Sequence, residues 1–599
     1  MTHHQGNKAT CALALLGVCG LPMLGCADDE QATTAACADP TQALALPHPG
    51  WQQGGGRLTP PAGDRAAELM ATVRPTWAAQ LAEVDGWPLR PTLLVPLDQA
   101  GTVADLDSLR AYGGEPLADL AVRFDGWIDE ATHTLVLQPV DPLPWEGAEV
   151  VVVVGEGALQ GASALPVCGA DGSPRPEYAA AAERLPDGAA AELALPFSLA
   201  PTSGDLGRLY DALQVSPALE VDAVEARALD SFGDHSPPAA VAASLSSTAA
   251  SGLLTLPAYQ DADGIIRVDQ DGLPVPTGTT QPGFVVALPA AGQAPFPFVL
   301  YQHGGSQQKE NILPIAGQLA DAGFAVVAID LPSHGDRAPP GGGGDLDILE
   351  FDNPLATRDN LRQASADHLA VLTGLDALNA ALAPPLGNAE TLDPSRAHYM
   401  GLSLGGVTGS LTFATARDLD GAALFVGGGG FPEILPTGLF SIYMVDVLAY
   451  EGAEQAALLA QVEALLDGAD PLAYAAREGR DEPARPALFF EAIDDPVISN
   501  AATDQWARAF GASLAEPSDH SVEHMPTAAL PVQNNVAWPD SGSAATRVLI
   551  HAPMAEVGIG ERHGGLIRQP YSQELVAHCF ATLRDAGACE AIDTGFAEH

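Results

Sequence analysis

The order of apolar runs in the second half of the chain constrains the fold more than any other feature. Three strand-like runs, GLLTLPAY, GFVVALP and FPFVLYQHG, are separated by Gly- and Pro-rich turns, and from there strands and helices alternate. A helical stretch over 308–322 precedes the strand FAVVAID (324–330), and a helix over 358–378 precedes the strand RAHYMGLS (396–403). A helix after Leu404 is followed by the strands AALFVGG (422–428) and PALFFEAI (486–493), the helix ATDQWARAF, the strand RVLIHAP and a last helix near 572–585. Parallel strands cannot be joined by a tight turn; they need a crossover, usually a helix. Strand and helix in strict turn therefore specify a doubly wound, mainly parallel α/β sheet with helices on both faces.

At 599 residues the chain exceeds what one compact core organises. Over 85–185 the runs TLLVPL, TLVLQPV and VVVVVGEGAL, bounded by Asp, Gly and Pro, read as strands of a small β-sandwich. Residues 186–249 are Ala-rich and helix-tolerant and read as a linker or packing region, and 27–84, rich in Ala, Gly, Pro, Gln and Asp, as a flexible tether. Residues 1–26 read as an export signal: Lys8 precedes the apolar run from Cys11 to Leu24, which is too short to span a bilayer comfortably. The domain expected over 250–590 carries the alternating pattern.

Composition excludes one class of partner. With a formal charge of −50 and Lys8 and Lys309 as the only lysines, the chain repels nucleic acid. Of seven cysteines, Cys11 and Cys19 lie in the signal and Cys26 at its end, leaving Cys37, Cys168, Cys579 and Cys589. An even remainder in an exported chain implies two disulfides in one of three connectivities; proximity favours Cys579 with Cys589 and so Cys37 with Cys168. The spacing of these four fits no metal site. No metal and no cofactor is expected elsewhere either.

The chemistry enters at Gly401-Leu402-Ser403-Leu404-Gly405, where an apolar strand meets a helix. This GxSxG resembles the nucleophile elbow of the α/β-hydrolase superfamily, in which a sharp turn lifts a serine out of the sheet. A serine hydroxyl needs a base to take its proton and an acid to orient that base. In that superfamily the order is serine, acid, histidine. The strand PALFFEAI runs into Asp494-Asp495-Pro496, where Asp495 matches the family's acid and Asp494 is the alternative. His563, in Glu561-Arg562-His563-Gly564-Gly565 between RVLIHAP and the last helix, matches the base; His551 and His578 read as structural, and His520 and His524 lie in a long loop. Oxyanion donors are expected from the backbone N–H of Leu404 and from Gly305 in His303-Gly304-Gly305-Ser306, which resembles the HG and HGGG loops of esterases and lipases. His334 is expected to shape the site wall.

The resemblance covers about residues 250–590 and implies a serine esterase or lipase. Met23-Leu24-Gly25-Cys26 resembles the bacterial lipobox, with Met23 where Leu is usual, and implies lipidation of Cys26. TLVLQPVDPLPWEGAEVVVVVGEGAL resembles the closing strands of bacterial Ig-like domains, and RDNLRQASADHL with the domain order resembles surface lipases of the virulence-factor type. An insertion at about 429–475 is expected to form a helical cap whose Phe431, Leu439, Phe440, Ile442, Tyr443 and Met444 line an acyl pocket. These resemblances imply a small-molecule or lipid ester substrate, membrane association through the N-terminal lipid and a place in the bacterial cell envelope, or secretion if Cys26 is not lipidated. Two other readings stay open: a serine peptidase or amidase on the same residues, and a non-enzymatic surface binding protein on a silent hydrolase domain. The oligomeric state is not encoded in these patterns.

Overall fold

The computed structural model describes residues 37–595, apart from 53–55, 145, 340–345, 388–390, 476, 479–483, 539–541 and 555–557. The expected signal with Cys26, and the first part of the expected tether, lie outside the described residues. A twelve-stranded sheet organises the larger part of the chain. Its main path comprises β1 (Glu220–Ala228), β2 (Leu245–Ala258), β3 (Gly283–Pro289), β4 (Phe296–Gln302), β5 (Ala325–Ile329) and β6 (Leu392–Leu402). It continues with β7 (Leu419–Phe425), β8 (Ala487–Ala492), β9 (Ser513–Glu516), β10 (Thr527–Ala529) and β11 (Arg547–Ala552). The spatial order is β1-β2-β3-β5-β4-β6-β7-β8-β11-β9-β10. From β1 to β5 neighbours run antiparallel, and from β5 onward every pair is parallel. This doubly wound, mainly parallel sheet is the α/β-hydrolase fold that the sequence pattern implied.

The central strands are buried on both faces, as a parallel sheet covered by helices requires. Side chains alternate between two cores: Leu300, Leu424 and Phe489 face one, and Val299, Phe425 and Phe490 the other. The first core is closed by helices α1 (Pro354–Thr373), α2 (Leu404–Thr415), α3 (Gly452–Leu466) and α4 (Asn500–Ala509). The second is closed chiefly by the last helix, Pro570–Ala586, through Leu575, Val576 and Phe580. Strand ends are level beside Ser403: Gln302 pairs with Gly401, and Leu402 with Phe425.

Two expected helices differ in detail. The stretch over 308–322 splits into a 3-10 turn, Lys309–Ile315, and a short helix, Gly317–Asp321, because Pro314 has no N–H and Asp330 Oδ1 accepts the Lys309 N–H at 2.9 Å. The helix over 358–378 is α1, starting on Pro354 with Asn353 accepting the Ala356 N–H as cap, and it ends at Gly374; a second helix, Leu375–Leu386, turns away by 69°. Among the described residues no single helix is long and apolar enough to cross a membrane.

Besides a two-stranded ribbon, Thr102–Val103 with Leu159–Gln160, the N-terminal part holds two larger antiparallel sheets. One comprises Leu93–Pro96, Thr134–Pro139 and Phe124–Asp129, the other Ala118–Asp119, Leu109–Gly113, Glu149–Gly155 and Ala191–Ser198. Val95, Leu135, Ala111, Val152 and Leu195 share one buried cluster, as the inner faces of a sandwich do. Both disulfides have the favoured pairing, Cys37–Cys168 and Cys579–Cys589.

Two boundaries need correction. The described part of 37–84 is not a flexible tether: it carries the helices Arg65–Val73 and Pro75–Gln80, and Trp51, Trp77 and Met70 are buried. Aromatic area of that size, once covered, outweighs the loop-like composition around it. Nor is 186–249 a linker. Ala191–Ser198 completes a sandwich sheet, Gly204–Val215 is a helix with Leu206, Leu209 and Leu213 buried, and Glu220–Ala228 is β1 of the main sheet.

The insertion after β7 is helical as expected, comprising Phe431–Ile434, Gly438–Tyr443, α3 and Pro471–Ala475. The N-terminal part grips it: Arg74 pairs with Asp446 at 2.6 Å, Arg65 with Glu454 at 2.8 Å, and the Ala453 N–H donates to Asp129 Oδ2 at 2.9 Å. At the C-terminal end of α3 Asp467 is buried, with the Thr202 hydroxyl donating to it, and burial pushes its carboxyl up to about 7. A carboxyl raised in the folded state favours folding at low pH and loses that contribution as pH rises through the folded value. Asp467→Asn, which keeps an acceptor for Thr202, is therefore expected to be more thermostable than the parent at pH 8–9. The gain should shrink below about pH 7 and vanish near pH 4, as thermal melts across pH will show.

Candidate active site

Ser403 stands between β6 and α2, with φ 55° and ψ −114°, a backbone region that non-glycine residues enter only when their surroundings enforce it. Its N–H donates to Phe425 O at 2.8 Å, and its carbonyl accepts from the N–H groups of Gly406 and Val407 at 2.7 and 3.0 Å. The flanking glycines are required by contact. A Cβ on Gly401 would lie 2.1 Å from the Gly405 carbonyl oxygen, and one on Gly405 would lie 2.2 Å from that of Gln302. Only at such an elbow can helix and sheet approach closely enough to present the hydroxyl.

The side chains singled out from the sequence converge. The Ser403 hydroxyl donates to His563 Nε2 at 2.8 Å, and His563 Nδ1–H donates to Asp495, 2.7 Å from Oδ2 and 2.9 Å from Oδ1. Asp495 Oδ1 also accepts the N–H groups of Val497 and Ile498 at 2.8 and 3.2 Å, which fixes the carboxylate behind the ring. Asp494, the alternative acid, is exposed; its backbone N–H donates to Asn500 Oδ1 at 2.9 Å, and no hydrogen bond joins its side chain to His563 among the described residues. His563 belongs to a short helix, Ile559–Gly564, rather than an open loop.

The loop after β4 borders the serine: a Cβ on Gly304 would lie 3.0 Å from Ser403 Cβ. His303 anchors this loop. Its Nδ1–H donates to Gly304 O at 2.8 Å while Nε2 accepts the Leu331 N–H at 3.1 Å, and burial pushes its imidazole down to about 3, keeping it neutral. Leu404 opens α2, so its N–H belongs to the first turn, where amides have no partner within the helix. Gly305 follows Gly304 and forms a turn with Ser306. His334, expected in the site wall, packs its ring 5.3 Å from that of His303 and does not line the cavity beside Leu404.

Next to Leu404 an apolar cavity of about 550 Å³, counting its open mouth, is walled by Val407, Phe431, Ile434, Phe440, Phe351 and Trp77 among others. Phe431 and Phe440 line it as expected. Leu439, Ile442 and Tyr443 do not: they are exposed, Leu439 and Ile442 standing three apart on the outer face of the 3-10 turn Gly438–Tyr443, and Met444 is buried away from the cavity. Trp77 and Phe351 were not expected in the wall. The only sequence signal for Trp77 is an aromatic residue standing in an otherwise aromatic-poor segment.

His578 bonds Glu590 at 2.9 Å and His524 bonds Arg123 at 3.1 Å, both remote from Ser403 in hydrogen bonding. His520 and His551 stack on each other, their ring centres 4.3 Å apart.

No protein-family model and no curated sequence matches the chain. Among solved structures it is similar to the acetyl xylan esterase from Paenibacillus sp. R4, with 16% identity over 61% of this chain and 93% of that one and a TM-score of 0.33. It is also similar to Acetyl Xylan Esterase 1 from Thermoanaerobacterium sp. JW/SL YS485, with 14% identity over 61% and 92% and a TM-score of 0.32. For the acylaminoacyl peptidase of Pyrococcus horikoshii the values are 13%, 53% and 40%, and 0.29. The strand order and the elbow describe the fold by themselves.

Proposed function

We propose that the protein is an exported serine carboxylester hydrolase, of the surface-lipase kind, whose nucleophile is Ser403. The observation that carries this reading is the unbroken chain of hydrogen bonds from Ser403 through His563 to Asp495. His563 takes the hydroxyl proton as the oxygen attacks the ester carbonyl, and Asp495 holds the imidazole in the required tautomer and balances the imidazolium. The N–H groups of Leu404 and Gly305 receive the oxyanion. Protonated His563 passes its proton to the leaving alcohol. Water, deprotonated by the same ring, then releases the acid from Ser403.

The apolar cavity beside Leu404 favours esters with an extended acyl chain over peptides, whose backbone would bring polar groups needing partners. Two disulfides suit an oxidising compartment, and the lipobox-like Met23-Leu24-Gly25-Cys26 supplies the anchor, placing the enzyme in the bacterial envelope.

The test is a series of p-nitrophenyl esters of increasing chain length set against aminoacyl p-nitroanilides. Hydrolysis of the esters with anilides untouched is the expected result; preference for anilides would replace this reading with the peptidase one. In the same series Ile434→Trp, which fills the cavity from the cap, should lower kcat/KM for the eight- and ten-carbon esters by about 10- to 200-fold and leave the acetate nearly unchanged. An unaltered chain-length profile would remove the cavity from the substrate path.

A further inference from the structure

Away from Ser403, four potential ligands from four segments meet in one place. Glu491 on β8 and His551 on β11 are paired across neighbouring parallel strands. Asp504 comes from α4, and His520 from the loop after β9. One ligand atom from each lies within 4.8 Å of all the others. Among the described residues hydrogen bonding leaves this cluster incomplete. Both ring nitrogens of His551, both carboxylate oxygens of Glu491 and Asp504 Oδ1 are buried without a partner. Glu491 and His551 are each 1% exposed. The cluster's one short contact is His520 Nε2 with Asp504 Oδ2, at 2.9 Å.

We propose that Glu491, Asp504, His520 and His551 form a structural site for one divalent transition-metal ion of the zinc type. Buried polar atoms without partners cost about 1–3 kcal/mol each, and native proteins rarely leave several in contact. An ion takes one atom of each residue and so partners His551 Nε2, one oxygen of Glu491 and Asp504 Oδ1 together: two carboxylates and two neutral imidazoles around a 2+ charge make a site with no net charge. Tetrahedral zinc with ligands at about 2.0–2.2 Å sets ligand atoms about 3.4 Å apart. His551 Nε2 stands 3.7 Å from Glu491 Oε2 and 3.6 Å from Asp504 Oδ1, close to that edge and too long for hydrogen bonds. Two imidazoles select a borderline transition ion over calcium or magnesium, which take oxygen ligands. The His520 side chain is 36% exposed, which opens a path for the ion.

The position gives the ion a task. Glu491 and Asp504 bracket the loop that carries Asp495, and Asn500 ties that loop down by donating to Ala492 O at 2.8 Å and accepting the Asp494 N–H at 2.9 Å. An ion joining β8, α4 and β11 therefore fixes both ends of the segment that positions the carboxylate behind His563.

The full-length protein tests this without reference to activity. As purified, it should contain about one zinc per chain by elemental analysis. After stripping with dipicolinate, ZnCl2 should raise its Tm by about 5 °C or more, while MgCl2 and CaCl2 leave it unmoved. His520→Ala, at a half-exposed loop position, should keep the apo Tm and lose the zinc response. Cobalt(II) added to the stripped wild type should give the intense visible bands of a tetrahedral site, a readout that does not depend on any variant folding. Absence of those bands, a Tm indifferent to ZnCl2, or an equal zinc response in His520→Ala would overturn the proposal.

Discussion

Ser403→Ala is expected to lower kcat/KM toward p-nitrophenyl esters by about 10⁴- to 10⁶-fold, because nucleophile, base and acid act as a unit and loss of the nucleophile removes the acyl-enzyme route altogether. Covalent labelling by a fluorophosphonate should vanish in the same variant. The fold should not suffer: the Ser403 side chain makes its hydrogen bond to His563 alone among the described residues, while its backbone bonds to Phe425, Gly406 and Val407 do not involve the hydroxyl. An unchanged Tm with activity and labelling both lost is thus the expected combination. Residual esterase activity near the parent's would mean that another residue carries the chemistry. Absence of both labelling and turnover in the parent would favour a silent binding protein.

The largest expected effect on stability is at Arg547, far from Ser403 in role. Its side chain is fully buried; Nη2 donates to Glu478 Oε1 at 2.7 Å, Nη1 to Phe510 O at 2.6 Å, and Nε to Arg485 O at 2.9 Å. The guanidinium also lies 4.5 Å from the Trp538 ring centre. Burial pulls its pKa down to about 10, so it stays charged at neutral pH. Arg547→Met fills much of the space but leaves Glu478 without this partner and two carbonyl oxygens without a donor. Breaking a buried pair by removing one member costs about 3–5 kcal/mol, here tempered by Arg485, which still reaches Glu478. Denaturant unfolding at pH 7 should show the loss as a lower midpoint with an unchanged slope. A change below about 1 kcal/mol would show that the interior relaxes around the vacated charge.

The residues of the relay were legible because each follows an apolar run whose type is unambiguous. RAHYMGLS, PALFFEAI and RVLIHAP become β6, β8 and β11, and a site at the ends of parallel strands follows from their order. The choice between Asp494 and Asp495 was open from sequence and is made by one residue of backbone: Asp494, at φ 57°, points to solvent, and Asp495 meets the ring. Other features were hidden for identifiable reasons. In Glu220–Ala228 the composition favours a helix, yet the segment pairs along β2; tertiary context overrode propensity. The metal ligands share no local spacing, since Glu491, Asp504, His520 and His551 meet only once β8, α4 and β11 pack together. A pattern search for neighbouring His and Cys cannot detect a cluster of that kind.

Trp77 reaches the cavity from a helix that precedes the whole hydrolase sheet in the chain. The two halves are therefore not interchangeable modules. A recombinant fragment beginning near residue 218, just ahead of β1, would retain the sheet and the reactive trio but breach one side of the chamber, and would report the substrate range of an altered vessel. Conversely, the leading segment offers a place from which selectivity can be retuned without touching a reacting atom.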